Sequence, residues 1–291
     1  MTEPARHFRR ILVALDDSEE SRAAVETAST LARRLEAELI GLFVEDIRFL
    51  ELAEHPVVRH FSLTKRRPLT PDTRDMERGL KAQAEAARRT LVAAAERQHV
   101  RWSFSVARGR VAVEVLSMAP EADLIVLGKT SLSGAGRARL GSTARALAVS
   151  DHGTVLFSEM RFIRGLSIEG PVLAAYDRAG PADAVLTVAS RVANRDGGRL
   201  LVLLPALAKD EAEALRAHAR NILQGAPIEV TFHTCPGAGC AELNRAVTRE
   251  GVGLLVVGEG SALLGGERVS DLIERVRVPV LLVRQPRSEA A

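Results

Sequence analysis

Between Val126 and Thr143 the chain reads VLGKTSLSGAGRARLGST. An apolar run passes into a Gly/Ser-rich loop carrying Lys129, Arg137 and Arg139, and Gly141-Ser142-Thr143 opens a helix-like stretch. Backbone N–H groups at a helix N-terminus form a ready anion site, and glycines let a phosphate approach closely. The pattern predicts nucleotide binding. The plainer alternative is a loop that only turns the chain, with Ser142 as helix N-cap. A second polar group, Asp16, follows the apolar run Ile11–Leu15. Its carboxylate can accept hydrogen bonds from ribose hydroxyls or cap the next helix, a task Asp17 and Ser18 can take over.

Other reactive side chains are less organised. Cys235 and Cys240 lie five positions apart with only His233 nearby as a further soft ligand, and a structural zinc needs about four ligands. Reduced thiols are expected. His55 and His60 fall in a long connection, Glu45–Arg74, with Phe61, Lys65, Arg66 and Arg67. Such a connection reads as a lid or partner-docking surface, or as a short helix with a solvated basic turn. Metal binding there is disfavoured, since no cysteine or ordered acidic partner accompanies the histidines. No Walker-type Lys-Ser pair, general base or metal cluster calls for fast hydrolysis, which leaves a slow ATPase or phosphoryl transfer as the enzymatic alternative.

Elements that could position these groups alternate strand and helix. The first half predicts strands at Ile11–Leu15, Leu39–Val44, Arg101–Ala107, Asp123–Leu127 and Thr154–Ser158. Helices fall after Ser18, burying Ala24, Ala28, Leu31 and Leu35, and at Asp75–Gln98, Val111–Met118 and Ser142–Val149. The second half repeats the order. Its strands are Pro171–Tyr176, Leu200–Leu204, Ile228–His233, Leu254–Val257 and Pro279–Val283, and its helices Asp183–Val192, Asp210–Leu223, Cys240–Glu250 and Val269–Val276. ILVALDD matches VLAAYDR, DLIVLGK matches LLVVGEG, and GTVLFSE matches VPVLLVR. The pattern is that of an α/β protein with a parallel sheet, duplicated, with halves at 1–160 and 161–291 and a linker at Arg161–Glu169.

Composition agrees with a core-forming chain and narrows its partners. Hydrophobic residues make up 46% of the 291 but aromatics only 3%, so the core is built of Ala, Val and Leu. A net charge of +3 from 40 basic and 37 acidic residues does not call for nucleic acid. No apolar run approaches the ~20 residues of a membrane span, and MTEPARHFRR has no signal-peptide core. A cytoplasmic location is expected, with no membrane partner.

On these residues the chain resembles the universal stress protein family in tandem form, over nearly its whole length. The family's nucleotide motif G-x2-G-x9-G-[ST] reads here Gly128-x2-Ser131-x9-Gly141-Ser142, with spacing kept and Ser131 replacing the second glycine. Asp16, Phe43-Val44 and Gly109 stand where supporting positions of the family stand. The resemblance implies five-stranded parallel sheets of order 3-2-1-4-5 with helices on both faces. It also implies antiparallel pairing of last strands, here Thr154–Ser158 against Pro279–Val283, making an intramolecular pseudo-dimer that stays monomeric or pairs further as a homodimer.

By the same resemblance Ala14, Leu15, Asp16 and Val44 would meet adenine and ribose, and Leu127, Gly128, Ser131, Gly141, Ser142 and Thr143 the phosphates. The implied ligand is ATP, ADP or AMP, with or without Mg²⁺, in a stress-response protein acting on an unknown protein partner. A nucleotide-free scaffold is the alternative. If the family's second glycine needs a left-handed backbone, Ser131 costs about 1 to 2 kcal/mol. The second half is expected to hold no nucleotide. Its loop Gly258–Gly266 is five residues shorter than Gly128–Gly141, and Glu267 stands where Ser142 does.

Overall fold

The computed structural model describes residues 8–48, 60–61, 68–69, 73–131, 139–151, 153–159, 170–194 and 198–284. The first half contains β1 (Arg10–Leu15), α1 (Glu19–Leu35), β2 (Glu38–Asp46), α2 (Thr73–Gln98), β3 (Trp102–Gly109), α3 (Val111–Met118), β4 (Leu124–Gly128), α4 (Ser142–Val149) and β5 (Thr154–Ser158). The second contains β6 (Val172–Ala175), α5 (Ala182–Ala193), β7 (Arg199–Pro205), α6 (Lys209–Ile222), β8 (Glu229–Cys235), α7 (Cys240–Arg249), β9 (Leu254–Gly258), α8 (Val269–Arg275) and β10 (Val280–Val283). Two short antiparallel ladders, His60–Phe61 with Pro68–Leu69 and Thr130–Ser131 with Arg139–Leu140, stand apart from the main sheet. The sequence pattern showed neither ladder.

All the longer strands join one ten-stranded sheet of order β8-β7-β6-β9-β10-β5-β4-β1-β2-β3. Each half keeps the order 3-2-1-4-5 and parallel pairing. The halves meet where β5 runs antiparallel to β10, Phe157 opposite Val280 and Val155 opposite Leu282. Two edges that would otherwise present unpaired amides are thereby covered. The strands read as near-continuous Val/Ile/Leu because both faces are packed. Ile11, Val13 and Leu15 face α1 and α2, while Leu12, Ile125 and Leu127 face the side of α3 and α4.

Small residues set the helix approach. On α1, Ala24, Ala28 and Leu31 are buried, and on α2 Ala84, Ala87 and Leu91, so a largely aliphatic core suffices. Ser18 caps α1 by accepting from the Ser21 amide at 3.1 Å, Glu19 and Glu20 lie in its first turn, and Arg33 and Arg34 in its last. The sequence-predicted linker Arg161–Glu169, Arg137, His55 and Lys65–Arg67 lie outside the described residues. Among the described residues no helix is long and apolar enough to cross a membrane.

Candidate functional site

Strand order reverses beside β1, which pairs with β2 on one side and β4 on the other. In an open α/β sheet the crevice at the carboxyl ends of such strands is the place for a ligand. Leu15 pairs with Phe43 on β2, and Val13 with Val126 on β4. Ala14, Leu15, Asp16, Val44, Leu127 and Gly128 therefore gather at one end of three adjacent strands. Leu15, Val44 and Leu127 are buried in the core, so they can offer a ligand only their backbone and an apolar floor. Ala14 and Gly128 are half-buried, and Asp16 is exposed.

Gly128 is required by contact with the next helix. A Cβ there would stand 2.9 Å from Glu20 Cβ and 3.2 Å from the Glu20 carbonyl oxygen, so the end of β4 fits directly against the first turn of α1. The loop that follows is gathered at its base. Thr130 pairs with Leu140 and Ser131 with Arg139, and the Gly141 amide donates to the Lys129 carbonyl at 3.0 Å. This ladder sets Lys129 beside Gly141, with Ser131 two positions farther out, opposite Arg139. Ser131 is extended, so its Cβ meets no left-handed penalty. The sequence-level cost of losing that glycine does not arise.

Helix α4 begins at Ser142 and has Gly141 as its N-cap, with no side-chain cap bond. Ser142 is thus the first helical residue and not the cap. Amides in the first helical turn have no partner within the helix, and no described residue accepts from those of Ser142 or Thr143. Ser142 is exposed and Thr143 half-buried. The arrangement can hold an anion.

Asp16 forms an Asx turn. Its Oδ1 accepts from the Ser18 amide at 2.9 Å and from the Ser18 hydroxyl, and its own amide donates to Ser21 Oγ at 2.9 Å. Ser18, not Asp16, caps α1. Among the described residues Asp16 Oδ2 has no hydrogen-bond partner. Farther along the rim, Arg108 Nε donates to Glu45 Oε2 at 2.7 Å. Arg48 Nε meets both oxygens of Asp46, at 3.0 and 2.9 Å. The Arg48 hydrogen bond holds the Asp46 carboxyl below its ordinary range, against the opposing effect of burial. Both rim carboxylates are paired with guanidinium groups.

Lys129, which the sequence places in the loop with Arg137 and Arg139, is on neither a ligand-facing nor a solvated loop surface. Its side chain is buried at the junction of the halves, donating to the Val276 carbonyl at 2.6 Å and the Val278 carbonyl at 3.1 Å and paired with Glu159. Burial pushes its pKa down, partly offset by Glu159. Nothing in the local sequence distinguishes this lysine from a loop-surface one. Glu274 was also missed: it accepts from the Leu140 amide at 3.1 Å across 134 positions, a separation that carries no local signal.

In the second half the matching crevice is filled by the protein. Asp177, aligned with Asp16, accepts from the Ala179 amide at 2.9 Å, from the Leu263 amide at 3.1 Å and from the Ser261 hydroxyl. Ala262–Leu264 forms a single 3-10 turn with Leu263 and Leu264 buried. Glu267 accepts from the Cys240 amide at 2.9 Å, capping α7. Helix α8 also lacks a side-chain cap, so a bare helix end alone does not distinguish the halves. Cys235 and Cys240 are both free and buried; burial, reinforced by Glu267, pushes the Cys240 thiol up to about 12.

Residues 7–156 match the family described as the universal stress protein family. The chain belongs to that family. Among solved structures, a universal stress protein from Archaeoglobus fulgidus DSM 4304 superposes with a TM-score of 0.72 at 20% identity, over 95% of this chain and 98% of that one. A functionally unknown protein, PA1789, from Pseudomonas aeruginosa PAO1 superposes with a TM-score of 0.56 at 17% identity, over 95% and 92%. No curated protein sequence matches. At these identities the superpositions establish the fold of this universal stress protein and leave its ligand to its own residues.

Proposed function

We propose that this universal stress protein binds an adenine nucleotide (ATP, ADP or AMP) in the crevice of a first domain spanning 1–160, and that occupancy alters its contacts with a protein partner. The second domain, 161–291, holds none. Asp16 would take ribose hydroxyls, and the amides and hydroxyls of Ser142 and Thr143 the phosphates, with Gly128, Ser131 and Gly141 allowing close approach and Ala14, Leu15, Val44 and Leu127 forming the floor.

One observation carries the reading. Asp16 takes hydrogen bonds only from its own turn among the described residues, while Asp177 takes them from the loop folded over its crevice. Among the described residues, the acceptor at the end of β1 would be open to a ligand, while its counterpart after β6 is used by the protein. Mg²⁺ would enter with the nucleotide, held chiefly by phosphate oxygens and water.

The test is isothermal calorimetry of the full chain with ATP, ADP and AMP, together with mass spectrometry of small molecules released from the purified protein. Binding with one site per chain, weakened by Asp16→Ala, is expected. No heat at millimolar nucleotide and no released nucleotide would leave a nucleotide-free scaffold as the better description.

A further inference from the structure

Helix α4, whose first turn would face the phosphates, is held at both ends by the second half of the chain. At its start, Glu274 of α8 accepts from the Leu140 amide at 3.1 Å, and its carboxylate lies 3.9 Å from Arg145. At its end, Arg284 of the second half donates to the carbonyls of Leu147 and Ala148, both at 2.9 Å. Lys129 closes the arrangement. Its carbonyl accepts from Gly141, its amide donates to Ser158, and its side chain grips Val276 and Val278. The loop base is thus anchored to the second half on both of its strands.

From this we infer that the second half, its own crevice filled, positions the phosphate-binding elements of the first, with Glu274 as a positioning residue, and that nucleotide occupancy and the seating of the two halves are linked. The inference rests on the nucleotide reading above and adds how that site is regulated. The physical reason lies in the geometry of the loop. The ladder Thr130–Ser131 with Arg139–Leu140 is only two residues long on each side, and a two-stranded ribbon of that length is marginal without outside support. Glu274 supplies such support by a charge-assisted bond to a backbone amide. A ligand that requires the supported conformation binds more weakly by the fraction of time it is lost. By reciprocity, a bound nucleotide must favour the same contacts across the junction.

The experiment compares wild type, Glu274→Ala and Glu274→Gln in the full chain. Glutamine keeps an oxygen that can accept from Leu140, whereas alanine removes it. In the free proteins, hydrogen exchange at the Leu140 amide should quicken about tenfold in Glu274→Ala and stay near wild type in Glu274→Gln. In calorimetry, Glu274→Ala should bind ATP about five- to tenfold more weakly and Glu274→Gln within about twofold of wild type. Saturating ATP should also slow exchange in the β10 amides of wild type, and do so less in Glu274→Ala. Melting temperatures of all three should agree within about 3 °C, as expected for a half-exposed side chain. Wild type binding ATP with Glu274→Ala indistinguishable in affinity and exchange would overturn the linkage and leave the nucleotide reading standing. Wild type showing no binding would instead overturn the nucleotide reading, and this inference with it.

Discussion

The two crevices of this chain begin from the same plan and end differently. In each, a buried strand delivers an aspartate, Asp16 or Asp177, to the point where strand order reverses. Between β9 and α8 the chain has ten residues, against thirteen between β4 and α4. A chain that short turns at once, placing Ser261 and Leu263 on Asp177 and burying Leu263 and Leu264 against the second-half core. The longer loop instead forms its own two-stranded base, and among the described residues Asp16 bonds only within its local turn. Loop length therefore separates a crevice whose own loop bonds to its aspartate from one whose aspartate, among the described residues, is bonded only by its local turn. The rims differ as well. By strand register Asp46 corresponds to Leu207, which is exposed, so the paired carboxylates of the first half have no counterpart in the second.

The halves remain alike at their junction, and that likeness gives the largest test. Lys129 pairs with Glu159, and at the matching positions Glu259 pairs with Arg284, the charges exchanged. Each cation also reaches carbonyls of the opposite half. Lys129→Ala and Arg284→Ala should each cost about 3–5 kcal/mol, since buried carbonyls lose their donors and the acidic partner loses its cation. Chemical denaturation followed by circular dichroism measures this, and a cost below 1 kcal/mol at either position would deny that the junction relies on both.

Glycines at the ends of β4 and β9 sharpen the comparison next. A Cβ on Gly128 meets the backbone of Glu20, which cannot move aside, whereas on Gly258 it meets side-chain carbons of Val185 at 3.1 Å and Pro181 at 3.3 Å. Gly128→Ala should lower stability by about 1–3 kcal/mol and weaken ATP binding about tenfold or more. Gly258→Ala should cost less than about 1.5 kcal/mol and leave binding alone. Equal effects from the two would show that the crevices are interchangeable.

The aspartates make a third pair. Asp177→Ala removes the acceptor for Ala179, Ser261 and Leu263 and should cost about 1–3 kcal/mol in melting experiments while ATP affinity stays unchanged. Asp16→Ala should do the reverse, costing at most about 1 kcal/mol and weakening ATP about tenfold.

The smallest effect belongs to the rim. Arg48 lowers the Asp46 pKa in the folded chain, so this pair stabilises the protein above the unfolded-state value, and the contribution is lost as pH falls through the folded one. Because Arg48 is about half exposed the contribution is under about 1 kcal/mol. Melting curves between pH 6 and about pH 3 should therefore converge for wild type and Asp46→Asn; a gap that widens on acidification would give the pair the opposite sign.

Much of the fold was legible in the residues. Strands such as Ile11–Leu15 and Leu254–Val257 are apolar runs too short for helices, and the matched pairs ILVALDD and VLAAYDR announce the duplication. Ser18 as the cap of α1 follows from local chemistry alone. The ladder Thr130–Ser131 with Arg139–Leu140 was not legible, since two-residue strands in a Gly/Ser-rich segment carry no alternation to read. Lys129 sits beside a glycine in a polar loop, and its burial depends on carbonyls nearly 150 positions away.

What the amino-acid order determined by itself is the set of elements, their duplication and the chemical kinds available at the end of β4, because periodicity, capping and glycine act over a few residues. Which of those groups are bound by the protein was decided only in three dimensions. Asp16 and Asp177 have the same local setting, yet their partners depend on how much chain follows a distant strand, and Lys129 and Glu274 acquire their roles from contacts that no local interaction specifies.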